Sequence, residues 1–202
     1  MEFCETDMNK LSSEEDLSVD RIKKYFRMII QGVEYLHSIG YVHYDLKLDN
    51  VLITENDTVR VADFGLSRKI GPPDINKNFE ATLIIKPPEL IEGGEVGFYF
   101  DSWALGCCLV RACSEDYAEY DTSYDKVLKS TTITILKYFV ENADQKYVDA
   151  FNPILAHKLL VENFDKRLWG KSLPVAADDP ELRDCFGLTQ KRDEVKSFVL
   201  FY

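Results

Sequence analysis

Between His43 and Asn50 the sequence reads HYDLKLDN, and thirteen positions after Asn50 a DFG begins at Asp63. Asp45 offers a carboxylate that can accept or orient a proton, and Lys47 offers a compact positive charge. Asn50 and Asp63 offer oxygen atoms of the kind that hold a hard cation such as Mg²⁺. Such a set raises the question of phosphoryl transfer, which demands positioning and charge compensation more than covalent participation by the protein. Singly, D-x-x-x-x-N and DFG are weak signals, because two or three specified letters also occur in plain turns. Order, spacing and the flanking elements decide.

Those elements are legible on both sides. From Ser18 to Ile39 apolar residues fall at Ile22, Phe26, Ile29, Val33 and Leu36, the stripe of an amphipathic helix. Ser18 is placed to cap it, Asp20 suits the positive end of its dipole, and Gly40 is its stop. The helix delivers the chain directly to His43. After Asn50, VLIT, ENDT and VRVADF read as a short β-hairpin that brings Asp63 back beside the first motif. Near Asp101, WALGCCLV is apolar nearly all round, which predicts a central core helix. A further helix is expected across Tyr124 to Val140, and short helices from Leu182 to Phe198. Without repeats or linkers, residues 1–202 read as one unit, mainly α with a small β-hairpin.

Composition narrows the function classes. The chain has 202 residues, 46% hydrophobic and 29% charged, enough for a real core. A net charge of −11 argues against sequence-independent nucleic-acid binding, which depends on clustered Lys and Arg. It biases the surface toward basic peptides. The run SSEED from Ser12 to Asp16 reads as a solvated acidic loop, with a partner site as the alternative. There is no apolar run of membrane-spanning length, and the five cysteines include no C-x-x-C pair. The expectation is therefore an intracellular protein, cytoplasmic or nuclear, with buried thiols and no membrane contact.

The order of motifs is informative. HYDLKLDN, DFG, Thr82 with KPPEL from Lys86 to Leu90, and DSWALG from Asp101 to Gly106 follow one another as they do in eukaryotic protein kinases. The chain resembles the C-terminal lobe of that family, cyclin-dependent-kinase-like and of serine/threonine type. The resemblance implies that Asp45, Lys47 and Asn50 are catalytic, with Lys47 beside the γ-phosphate of ATP, and that Asn50 and Asp63 hold Mg²⁺. It further implies His43 and Phe64 in a packed column, Leu52 under adenine, Thr82 reaching toward Asp45 and Lys47, and Glu89 paired with Arg192. The opening MEFCETDMNKL is similar to the family's hinge, with Met1 as gatekeeper, Glu2 and Cys4 offering backbone groups to adenine, and Asp7 near the ribose. Lys47 and Thr82 fit a serine/threonine substrate.

Several positions depart from the family pattern. Tyr44 replaces the arginine that often pairs with a phosphate on the activation segment, Leu48 replaces a proline, Ile85 stands where tyrosine is common, and Pro87 replaces alanine. The 202 residues contain no G-x-G-x-x-G run over the phosphates, nor the strand lysine and helix glutamate that accompany it. The reading is a partial kinase domain, hinge and C-lobe without the N-lobe, weak or inactive alone. An apolar upper face would then be open to a partner chain. The alternative is a half-kinase acting as a regulatory binding module.

Overall fold

The longest helix starts where its cap is written. Ser18 is extended at φ −67° and ψ 152°, and its hydroxyl accepts the Arg21 amide at 3.2 Å. Helix α2 then runs Val19–Ser38, burying Ile22, Phe26, Ile29, Val33 and Leu36, the stripe expected from their spacing. It ends at Gly40, whose φ of +85° is a conformation glycine adopts without a Cβ penalty. This computed structural model describes residues 4–70, 87–91, 97–114, 132–160, 168 and 176–188.

Ahead of α2 lie strand β1 (Cys4–Asp7) and helix α1 (Met8–Glu14), with Asp7 capping α1 through the Lys10 amide at 2.8 Å. SSEED is therefore not a simple loop, since Ser12 to Glu14 form the last turn of α1. Its final residue, Asp16, accepts Lys146 at 2.8 Å and the Tyr147 hydroxyl at 2.8 Å. After α2 come β2 (Tyr41–Val42), a 3-10 turn (Leu48–Asn50), and the predicted hairpin, β3 (Val51–Thr54) with β4 (Val59–Val61). Strand order is β1-β3-β4, all antiparallel, while β2 pairs with β5 (Arg68–Lys69).

The remaining elements are helical: α3 (Pro88–Ile91), α4 (Tyr99–Cys113), α5 (Thr132–Asn142), α6 (Gln145–Ile154) and α7 (Pro180–Phe186), with a π turn at Leu155–Leu159 and a 3-10 turn at Ala176–Asp178. Helix α4 buries thirteen of its fifteen residues, Trp103 and Leu105 among them, and is the core helix its all-round apolarity predicts. A Cβ on Gly106 would meet Leu160 Cδ2 at 2.6 Å, so that glycine permits the close approach of the π turn. Phe186 stacks between Phe26 and Phe151, each centroid 6.2 Å away, tying α2, α6 and α7 together.

Helix α5 overlaps the second half of the stretch predicted from Tyr124, whose first half lies outside the described residues. The predicted terminal helices are described only as far as Leu188. All five cysteines are free thiols, and Cys107, Cys108 and Cys113 are buried. Among the described residues, the large exposed apolar side chains are Ile39, Tyr41, Ile70 and Val140. None lies on the three-stranded sheet, where the mixed polar sequence of β1 covers one side of β3. No described helix is long and apolar enough to cross a membrane.

Candidate active site

Asp45, Lys47 and Asn50 come together in one turn. The Asn50 side-chain amide donates to the Asp45 carbonyl at 2.8 Å and to its carboxylate at 3.0 Å. Lys47 Nζ lies 3.0 Å from the same carboxylate oxygen. The 3-10 turn makes this possible by closing the Asn50 amide onto the Lys47 carbonyl at 2.9 Å, which folds Asn50 back under Asp45. Asp45 is 6% exposed, so its charge is compensated by fixed donors more than by water.

The loop is fastened from beneath by a carboxylate that sequence reading missed as a functional group. Asp101, fully buried in the first turn of α4, accepts the backbone amides of His43 at 2.9 Å and Tyr44 at 3.1 Å. His37 Nε2 lies 2.8 Å from it as well. A buried carboxylate is stable only when its lone pairs are met, and here two loop amides meet them. The available signal was one acidic residue heading an otherwise apolar helix. Cys108 adds a weaker tie, its thiol donating to the Leu46 carbonyl at 3.5 Å.

His43 is fully buried. Its Nδ1 accepts the Asp45 amide at 3.3 Å, so Nε2 carries the proton and donates to the Ala62 carbonyl at 3.0 Å. Burial holds its pKa below the usual histidine value, and the Nδ1 contact agrees, since a proton there would face an N–H. Its ring packs against Phe64 with centroids 5.1 Å apart. Tyr44 takes a left-handed φ of 64°, is 4% exposed and meets Phe100 edge-on at 5.2 Å. Apolar packing with Val42, Phe98 and Leu66 thus surrounds the position where an arginine was the family expectation. Burial raises the Tyr44 phenol pKa far above its ordinary value.

The hairpin returns Asp63 to the turn as predicted. Val51 pairs with Val61, and the Ala62 amide donates to the Asn50 carbonyl at 2.9 Å, leaving Asp63 as the next residue along. Asp63 is exposed, holds φ +60°, and accepts the Gly65 amide at 3.2 Å. No bond joins its side chain to that of Asn50; the two are neighbours through the backbone. Because Asn50 spends its amide nitrogen on Asp45, its oxygen is the atom left to face a cation. A neutral amide oxygen and a solvent-facing carboxylate are donors of the kind Mg²⁺ takes together with phosphate and water. The donor set therefore fits that ion.

Of the residues expected to meet adenine and ribose, Asp7 and Leu52 are direct register partners, and Cys4 pairs with Thr54 at the far end of the same strand. Glu2, Met1, Thr82, Ile85 and Arg192 lie outside the described residues, while Glu89, the expected partner of Arg192, is 9% exposed on α3.

Comparison with known proteins follows the same line. Residues 1–173 match the protein kinase domain model. Cyclin-dependent kinase 7 of Xenopus laevis is 38% identical over 114 residues, covering 54% of this chain and 32% of that protein. A probable serine/threonine-protein kinase, KIN1 homolog, of Enterocytozoon bieneusi is 42% identical over 94 residues, 46% of this chain and 16% of that protein. A probable serine/threonine-protein kinase of Encephalitozoon cuniculi is 35% identical over 156 residues, 76% of this chain and 29% of that protein. The chain thus spans a third or less of the length of these relatives.

Proposed function

The chain belongs to the protein kinase family, and from that premise we propose that it takes part in transfer of the γ-phosphoryl group of ATP to serine or threonine hydroxyls of a protein substrate. The observation that carries this reading is the Asn50 amide, which holds both the carbonyl and the carboxylate of Asp45 while Lys47 sits 3.0 Å from that carboxylate. Asp45 orients the attacking hydroxyl and takes its proton as the new P–O bond forms and the bond from the γ-phosphorus to the β–γ bridging oxygen breaks, with ADP as the leaving group. Lys47 then turns its charge toward the γ-phosphate and offsets negative charge on the transferring oxygens. Asn50 and Asp63 would hold Mg²⁺, which when bound neutralises the phosphates and fixes their direction. Adenine would lie on the β1–β3 pair, against Leu52 and the Cys4 backbone, with Asp7 toward the ribose.

Lys47 favours serine/threonine over tyrosine specificity, and two of the three relatives are named serine/threonine-protein kinases. The acidic chain favours basic peptides. These 202 residues contain no G-x-G-x-x-G run, so transfer by them alone is expected to be weak. A second reading, a regulatory module that binds without phosphorylating, is favoured by the apolar packing of Tyr44.

One assay separates the two. The full-length protein, given Mg-ATP and a basic serine peptide, should phosphorylate it, and Asp45→Asn should lower kcat by roughly 10²- to 10⁴-fold. Absence of transfer, or equal transfer by Asp45→Asn, overturns the kinase reading and leaves the binding module.

A further inference from the structure

The strand proposed to meet the nucleotide and the turn that carries Asn50 are joined by one side chain that neither motif includes. Asn9, in the first turn of α1, donates from Nδ2 to the Asp49 carboxylate at 3.2 Å. Its Oδ1 accepts Arg111 Nε, on α4, at 2.8 Å. The amide orientation is fixed by chemistry, since a carboxylate only accepts and a guanidinium only donates. Asn9 is therefore a two-ended bridge, and aspartate or leucine in its place would each lose one end or both.

What the bridge joins gives it its meaning. Asp49 sits between Leu48 and Asn50 in the 3-10 turn, so holding Asp49 from outside restrains the turn whose inner face bonds Asp45. On the other side, Asn9 lies two residues past Asp7, which ends β1, pairs with Leu52 and caps α1. Arg111 belongs to the same helix as Asp101, which holds the loop at His43 and Tyr44. The loop is thus fixed at its start by Asp101 and at its end through Asn9.

We propose that Asn9 is a positioning residue for the catalytic turn, setting Asn50 relative to the β1–α1 corner; its catalytic consequence rests on the phosphoryl-transfer reading, its structural one does not. In Asn9→Asp the Arg111 contact survives while two carboxylates face each other across 9 and 49. The swap Asn9→Asp with Asp49→Asn restores a donor–acceptor pair in reversed order.

The test uses the full chain and two readouts. Amide hydrogen exchange is followed at Asn50 and Ala62, whose N–H groups bond Lys47 and Asn50. Asn9→Asp should speed both by about tenfold, and the swap should return them to within about twofold of the original. With Mg-ATP and peptide, Asn9→Asp should lower kcat by about five- to tenfold at nearly unchanged KM for ATP, again reversed by the swap. Unaltered exchange at Asn50 in Asn9→Asp, or a change that the swap does not reverse, overturns the proposal. Failure of the full-length protein to phosphorylate the peptide overturns the kinase reading alone, because the exchange arm reports on Asn9 without catalysis.

Discussion

Asp101 and Asp57 each gather three donors, yet they teach opposite lessons about what a carboxylate does in a fold. Asp101 is fully buried and its donors are two backbone amides and a histidine. Asp57 sits in the β3–β4 turn with a side chain 40% exposed, and its partners are the long side chains of Arg21 at 3.1 Å and Lys24 at 2.5 Å, together with the Tyr25 hydroxyl. Both bind an element to a helix. In the first the low-dielectric surroundings leave the amides no substitute, so the carboxylate dictates the path of the loop that starts at His43. In the second, water competes with every partner, so the turn is fastened without being dictated.

Asp101→Ala is the largest break. It orphans two buried amides, each costing about 1–3 kcal/mol, so a loss of about 3–5 kcal/mol is expected. Against a total stability of about 5–15 kcal/mol that is severe. Urea denaturation should register it, and a loss below about 1 kcal/mol would show that the loop does not depend on Asp101.

The buried region should also carry a pH dependence of its own. His43 has a folded pKa below its unfolded value near 6.5, so below that pH the unfolded chain binds a proton that the folded one does not. Its contribution to stability therefore falls as pH drops below about 6.5, by up to about 1.4 kcal/mol per pH unit. Denaturation of the original chain and His43→Gln at pH 7.5, 6.5 and 5.5 checks this. Stability of the original should decline more steeply, and parallel slopes would count against a neutral buried His43.

The two regions also differ in how far the sequence discloses them. The α2 stripe, its Ser18 cap, the hairpin and the buried α4 were all legible, because each is a local pattern with one dominant physical cause. The grouping of Asp45, Lys47, Asn50 and Asp63 followed from motif order. In the sequence Asp101 is marked only as the head of a core helix. Its partners are amides 57 and 58 positions upstream, and backbone donors leave no trace in the residue types. Asn9 was invisible for a related reason: its bridge spans 40 positions to Asp49 and 102 to Arg111. Asp16 looks like solvated acid in the sequence because nothing local marks Lys146, 130 positions away, as its partner.

Asp57→Asn gives the smallest effect and the sharpest comparison. Asparagine tolerates the left-handed φ of 53° at this position, so the substitution removes charge without adding backbone strain. Lys24, Arg21 and Tyr25 hold the Asp57 carboxyl below its ordinary pKa against the opposing effect of burial, so its contribution is present near neutral pH and fades as the medium falls through the acid range below about 4. With Arg21 35% and Lys24 37% exposed, screening limits the expected loss to about 0.5–1 kcal/mol at low salt. Added salt should shrink it further, since the Debye length falls to about 3 Å at 1 M. A loss above about 2 kcal/mol that salt leaves untouched would mean that the turn dictates the hairpin much as Asp101 dictates the loop, and the contrast between the two carboxylates would fail.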